Sequence, residues 1–244
     1  MSKPNENLKD VLSNGGFVIK PLDIKFVSDL EQNIKNLLGC DNLSNNDFLN
    51  ILNNSDDNKI SELFDIFNSC GNILAGHLTV QNNYVKDVFD KPLIWTYPNV
   101  RIDKKSRKGY IAPPHLDEWI LFNNRRGLVA WFPLFSSGYL KIYDGFDKIK
   151  IAKDNYWGVK ATNTDNFLIK EKLINRGEIL FFRSDLLHES SLKINEDKVR
   201  FSIQYRYIDL EFSQKPFKRT VVQKISPDIK AKQNDLVKLG VFEK

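Results

Sequence analysis

Two spacings of apolar residues divide the chain. Up to about Leu74, apolar side chains recur at steps of three and four; beyond Pro92 the step shortens to two. In the front part, Gly16-Phe17-Val18-Ile19-Lys20 reads as a short strand. Val27, Leu30, Ile34, Leu37 and Leu38 then trace one face of a helix that Gly39 stops. Phe48, Leu49, Ile51 and Leu52 form the apolar centre of an Asn-rich stretch and predict one or two helical turns between loops. Ser55 suits the N-cap of a further helix. Ile60, Leu63, Phe64, Phe67, Cys70 and Leu74 make its buried stripe, and His77 falls at its end, exposed in part.

Behind Pro92, strand patterns follow at short intervals: 93–97, 100–103, 127–134, 139–143, 148–152, 167–174, 178–182 and 199–208. Gly138, Asp144-Gly145 and Asn175-Arg176-Gly177 are turn signals between them. About eight short strands after a helical front predict a mainly β fold with helical additions. The expected form is a double-stranded β-helix (a cupin-like jelly roll) with the N-terminal helices packed outside. Residues 1–244 read as a single domain: a helical front at 1–92, a jelly-roll core at 93–210, and a C-terminal strand (217–225) and helix (228–239) within 211–244. No internal repeat or low-complexity linker interrupts it.

Composition narrows the class. At 244 residues with 41% hydrophobic content, the chain can bury a substantial core and is not of disordered type. The net charge of +5 is mild and the lysines are scattered. The local cluster Lys104-Lys105-Ser106-Arg107-Lys108 is better read as a solvated loop than as a receptor for an anionic substrate. No nucleic-acid motif accompanies the basicity. Cys40 and Cys70 lack metal-type spacing and read as reduced thiols. Residues 1–14 contain no apolar h-region, and no run is long enough to span a bilayer. A cytoplasmic protein with a small-molecule substrate and no nucleic-acid or membrane partner is expected; oligomeric state is open.

The candidate chemistry centres on Pro113-Pro114-His115-Leu116-Asp117. On a strand, His115 and Asp117 would point to the same face. The chain has three histidines, His77, His115 and His188. His188 ends Gly177-Glu178-Ile179-Leu180-Phe181-Phe182-Arg183-Ser184-Asp185-Leu186-Leu187-His188, a strand, a tight turn and the start of another strand. Two histidines and one carboxylate are the ligand types of a facial triad for a non-haem metal. Farther on, the strand around Arg200 alternates strictly. Arg200, Ser202, Gln204 and Arg206 share one face, and Phe201, Ile203, Tyr205 and Tyr207 the other. A polar face carrying two arginines suits a cavity that holds a carboxylate.

His115-x-Asp117, His188 and Arg200-x-Ser202, in that order, resemble the Fe(II)/2-oxoglutarate dioxygenases, and among them the phytanoyl-CoA dioxygenase-like branch. Leu128-Val129-Ala130-Trp131-Phe132-Pro133-Leu134 is similar to that branch's strand after the His-x-Asp turn. The likeness covers about 99–207, with a weaker opening at 15–38. One departure concerns substrate: Gly138-Tyr139-Leu140 leads into Lys141-Ile142-Tyr143-Asp144-Gly145, where the branch often has Pro-Gly-Ser-His.

The resemblance implies that His115, Asp117 and His188 bind Fe(II), that the iron orients 2-oxoglutarate and activates O2, and that all three are catalytic. It implies that Arg200 pairs with the distal carboxylate of 2-oxoglutarate and that Ser202 adds a hydrogen bond. Trp131 resembles the aromatic wall against this cosubstrate, and reads equally well as a core Trp. Arg101, which shares a face with Asn99 and Asp103, meets a carboxylate of cosubstrate or substrate, or a salt bridge with Asp103 or Glu118. Arg206 reads as the partner of an acid. The implied outcome is hydroxylation or desaturation, with succinate and CO2 released and no halide required because Asp117 fills the third protein site. A pocket of Glu118, Trp119, 104–110 and 139–147 fits a polar substrate such as a sugar, amino acid or phosphorylated metabolite. Two alternatives stand beside this: a cupin-type metal-dependent isomerase or oxygenase without 2-oxoglutarate, which would not need Arg200, and a non-catalytic β-sandwich binding module.

Overall fold

Alternation along single strands produces two cores back to back. In β4 (Leu128–Leu134), Leu128, Ala130, Phe132 and Leu134 join one apolar cluster while Val129 and Trp131 join another. The computed structural model describes residues 16–69, 82–89, 92–94, 99–104, 111–117, 127–144, 151–154, 158–163, 165, 167–191 and 199–209. Cys70, His77, Glu118, Trp119, residues 105–110 and 145–147, and the C-terminal strand and helix expected at 217–225 and 228–239 lie outside them.

The larger sheet has the order β1-β9-β4-β11-β2, with β3 also paired to β11. These strands are β1 (Phe17–Pro21), β2 (Pro92–Ile94), β3 (Asn99–Asp103), β4, β9 (Glu178–Arg183) and β11 (Arg200–Asp209). The smaller sheet has the order β10-β5-β8, from β5 (Gly138–Asp144), β8 (Leu168–Ile174) and β10 (His188–Ser191). A hairpin, β6 (Ile151–Asp154) with β7 (Gly158–Ala161), stands apart. All pairings are antiparallel. Val129, Trp131, Leu140, Ile142, Ile174, Leu180 and Phe182 fill the space between the sheets. The fold is the expected jelly roll with helices outside.

Helices α1 (Ile24–Leu37), α2 (Asn45–Asn54), α3 (Asp57–Ser69) and α4 (Asn82–Lys86) accompany the larger sheet. Val27, Leu30, Ile34, Phe48, Leu52 and Ile60 pack with Phe132, Phe181, Phe201, Ile203 and Tyr205 in one cluster. Asp23 caps α1, accepting from the Lys25 N–H at 2.9 Å. Gly39, at φ +65°, ends it: Gly39 N donates to Asn36 O at 3.0 Å and Cys40 N to Lys35 O at 2.8 Å, a Schellman closure. The buried carboxylate of Glu31 ties this layer to the sheets. It accepts from Phe135 N at 2.7 Å and from two Arg176 nitrogens at 2.8 and 2.7 Å.

One local expectation is corrected. Ser55 closes α2, donating its hydroxyl to Ile51 O at 2.8 Å, while Asp56 caps α3 by accepting from Lys59 N at 2.8 Å. Ile51 is 48% exposed; the buried face of α2 is Phe48, Leu49 and Leu52. The short α4 and the hairpin strand β7 were not foreseen, because elements of four or five residues carry too few positions to show a period.

Candidate metal centre

His115 and His188 meet across a single antiparallel bridge. His115 N donates to His188 O at 2.9 Å, and His188 N returns the bond to His115 O at 3.1 Å. The bridge sets the imidazole centroids 4.3 Å apart. His188 opens β10, while His115 belongs to no longer strand and Asp117 already has helical backbone. The expectation that a strand pleat aligns His115 with Asp117 is therefore corrected. The chain turns immediately after the bridge, and that turn carries the carboxylate back toward both rings.

The same local device orients both imidazoles. His115 Nδ1 lies 2.7 Å from Pro113 O, and His188 Nδ1 lies 2.9 Å from Leu186 O. A carbonyl only accepts, so in the neutral ring Nδ1 holds the proton and Nε2 presents a bare lone pair. His115 Nε2 lies 3.9 Å from Asp117 Oδ1, and His188 Nε2 lies 3.7 Å from Asp117 Oδ2. One ligand atom from each of the three residues falls within 4.8 Å of the others. All three side chains are buried.

Electrostatics keep this set in ligand form. Burial, then the neighbouring His188, lowers the His115 pKa to about 3 against the opposing pull of Asp117. Burial also lowers that of His188. Burial alone would raise the Asp117 pKa, but Arg206 and the two imidazoles bring it down to about 2. At neutral pH the set is two neutral imidazoles and one carboxylate, the protonation that a divalent ion requires.

Arg206 pairs with an acid, as expected, and that acid is Asp117. Asp117 Oδ1 accepts from Arg206 Nε at 3.1 Å and Nη2 at 2.8 Å, and Oδ2 accepts from Gln204 Nε2 at 2.7 Å. Arg206 Nη2 also donates to Gln204 Oε1 at 3.2 Å. The carboxylate is thus clamped from behind by two alternate residues of β11, a fixing of orientation typical of ligands to metals. The alternation of β11 puts Gln204 on the polar face, and the register gives it this partner.

A second buried cluster lies beside the first. Asp103, on β3, faces Arg200 in register. Its Oδ1 accepts from Arg101 Nη2 at 2.9 Å and its Oδ2 from Arg200 Nε at 3.0 Å, with Arg200 Nη2 on the same oxygen. Arg200 also donates to Ser190 Oγ at 2.7 Å and to the Tyr139 and Ser191 carbonyls. Burial would raise the Asp103 pKa, but Arg101 and Arg200 hold it below the usual carboxylate range. Ser202 is buried in the same strand, and its Oγ has no hydrogen-bond partner among the described residues.

A cavity of about 270 Å³ opens at the two histidines. Its polar wall is Asn99, Arg101, Ser190, Gln204 and Arg206; Ala112, Trp131 and Leu140 form the apolar part. Trp131 belongs to the inter-sheet core and also lines the cavity. The Arg200 guanidinium carbon packs 5.4 Å from its ring centroid. Arg101 makes the expected salt bridge with Asp103 and also lines the cavity. Ser190, two residues past His188, was missed; its signal was its place on the same face of β10.

Similar solved structures share this architecture. They include the non-heme monooxygenase ThoJ in its apo form (TM-score 0.56, 15% identity, 83% of this chain and 77% of that one covered). EvdO2 from Micromonospora carbonacea var. aurantiaca, in complex with 2-oxoglutarate, aligns at TM-score 0.50 and 15% identity over 85% and 92% of the two chains. The epimerase SnoN, in complex with Fe3+, alpha ketoglutarate and nogalamycin RO, aligns at TM-score 0.50 and 15% identity over 83% and 82%. The chain has the fold of these non-haem enzymes. At such identity the likeness speaks to fold alone. No protein-family model matches the chain, and no curated protein matches it in sequence.

Proposed function

We propose that the protein is a non-haem Fe(II)- and 2-oxoglutarate-dependent oxygenase of the phytanoyl-CoA dioxygenase-like kind. The observation that carries this is the His115–His188 bridge, which brings two bare Nε2 atoms to within 4 Å of a carboxylate at the mouth of a cavity. The donor set fits a facial triad in type, protonation and backing. With iron and 2-oxoglutarate bound, the centre would couple O2 reduction and the decarboxylation of 2-oxoglutarate, yielding succinate and CO2, to oxidation of a substrate C–H bond.

In this role His115, His188 and Asp117 hold the metal, and Arg206 and Gln204 fix the orientation of Asp117. The inter-sheet residues Trp131 and Leu140 exclude water from one wall, and the guanidinium groups nearby receive carboxylates. Asn99, Ser190 and Gln204 favour a polar small molecule, such as a sugar, an amino acid or a phosphorylated metabolite. Asp117 fills the third protein position, so hydroxylation or desaturation without halide is the proposed outcome.

Anaerobic addition of Fe(II) and then 2-oxoglutarate tests this. A visible charge-transfer band that needs both is expected, followed under O2 by succinate formation. One observation favours a second reading, a metal enzyme that does not use 2-oxoglutarate: Asp103 already engages Arg200. A metal-loaded protein that binds no 2-oxoglutarate would establish it.

A further inference from the structure

The hairpin β6–β7 belongs to neither large sheet, yet it touches the segment that carries the first histidine. Ala161, the last residue of β7, donates its N–H to Pro114 O at 2.8 Å. The other edge of that segment runs along β10, where Ser190 N donates to Ala112 O at 3.2 Å beside the His115–His188 bridge. Residues 112–115 are therefore held from both edges.

An apolar cluster continues this support. Leu116, Tyr143, Ala161 and Leu187 are buried together, with Phe167 packed against them. Leu116 stands between His115 and Asp117, and Leu187 immediately precedes His188. Along β5, Leu140 and Ile142 join the inter-sheet core, so the alternation turns Tyr143 and this cluster to the opposite side of the smaller sheet. Tyr143 is itself fixed: its N–H donates to Leu187 O at 3.0 Å and its hydroxyl bonds Glu189.

Two hydrogen bonds make the histidine bridge, and Asp117 leaves it on helical backbone. That alone is a loose frame for ligand atoms that a metal needs placed to a few tenths of an ångström. Arg206 and Gln204 fix the carboxylate from the larger sheet. The residue next to each histidine is fixed in the cluster behind the smaller one.

We propose that Leu116 and Leu187, gripped by Tyr143 and by Ala161 of the hairpin, are positioning residues that set metal affinity through the backbone of the ligands and touch neither metal nor substrate. This rests on the reading of His115, Asp117 and His188 as metal ligands.

The test titrates the full chain with Co(II) against a chelator and records the visible Co(II) bands, which follow ligand geometry. Leu116→Ala is expected to weaken Co(II) by about tenfold and to change the bands. Leu52→Ala makes the same truncation in the cluster under the helices, where Leu52 is 1% exposed. It should lower the urea midpoint as Leu116→Ala does, yet keep Co(II) affinity within about threefold and the parent spectrum. Leu116→Met keeps the side-chain volume and should restore parent affinity. Should Leu116→Ala not fold, Ala161→Pro removes the donor to Pro114 O and should weaken Co(II) by about fivefold. Parent affinity and spectrum in folded Leu116→Ala or in Ala161→Pro overturn the proposal, as does an equal loss in Leu52→Ala. A parent that binds no Co(II), or binds it equally well as His115→Ala, overturns the metal reading instead.

Discussion

On one face of β11, Phe201, Ile203, Tyr205 and Tyr207 sink into the cluster shared with the helices; on the other, Arg200, Ser202, Gln204 and Arg206 line the inner side of the jelly roll. Both faces are buried: Phe201 is 0% exposed and Arg206 6%. They differ in how burial is made tolerable. The apolar face needs only contact, with Phe135 stacked edge-on against Phe201 at 5.1 Å and Tyr205 beside Phe132 at 5.9 Å. The polar face needs specific partners, and both of its arginines have a carboxylate. Dispersion is non-directional, so the first face tolerates repacking. Charge pairs in a low dielectric are directional, so the second holds atoms in fixed places, as a reactive site requires.

Breaking the polar side at its ligands should have the largest effect on metal. His115→Ala or His188→Ala is expected to abolish stoichiometric iron binding after reconstitution, while His77→Ala retains it. Metal analysis decides this, and iron lost only from the His77 variant would reverse the assignment.

Breaking the apolar side separates stability from metal binding. Phe201→Ala should cost about 3–5 kcal/mol of unfolding free energy, read from denaturant titration, with the folded fraction still binding one equivalent of metal. A matching loss of metal from the folded fraction would mean that the two faces are not independent.

Arg206→Met sharpens the comparison within the polar face. It removes the clamp on Asp117 while keeping apolar bulk, so metal affinity should fall about 10–100-fold, measured by competition with a chelator. Unchanged affinity would show that Gln204 alone orients the carboxylate.

The smallest effect is that of acid. The folded-state pKa of His115, about 3, lies below its ordinary 6.5, so the unfolded chain takes up the proton first as pH falls. Stability from this group is complete above about pH 6.5 and declines as pH drops toward 3, by roughly 1 kcal/mol between pH 7 and 5.5. Melting temperatures of the metal-free protein across that range report it, and a flat profile would show that His115 is not buried in its neutral form.

Much of this comparison was legible along the chain. The period of two in 200–207 determined which residues share each face of β11, because a pleated strand leaves no choice. The period of 3.6 determined the buried face of α1, and Gly39 its end, because a residue at φ +65° is readily supplied by Gly. The ligand types of the candidate centre were also legible, since the chain has only three histidines and one of them stands in a His-x-Asp pair.

Only the tertiary structure decided how those residues combine. That His115 meets His188 depends on one backbone bridge between segments more than seventy residues apart, and no local pattern encodes such a pairing. That Arg206 holds Asp117, while Arg200 is held by Asp103, depends on β11 lying beside β3 and β4 in a particular register. Residue type determined that each arginine would need an acid, because a buried guanidinium is costly without one. Which acid each found, and therefore which arginine remained on the cavity wall, was settled by sheet order, because charge pairing acts through space and the chain's own period acts only along it.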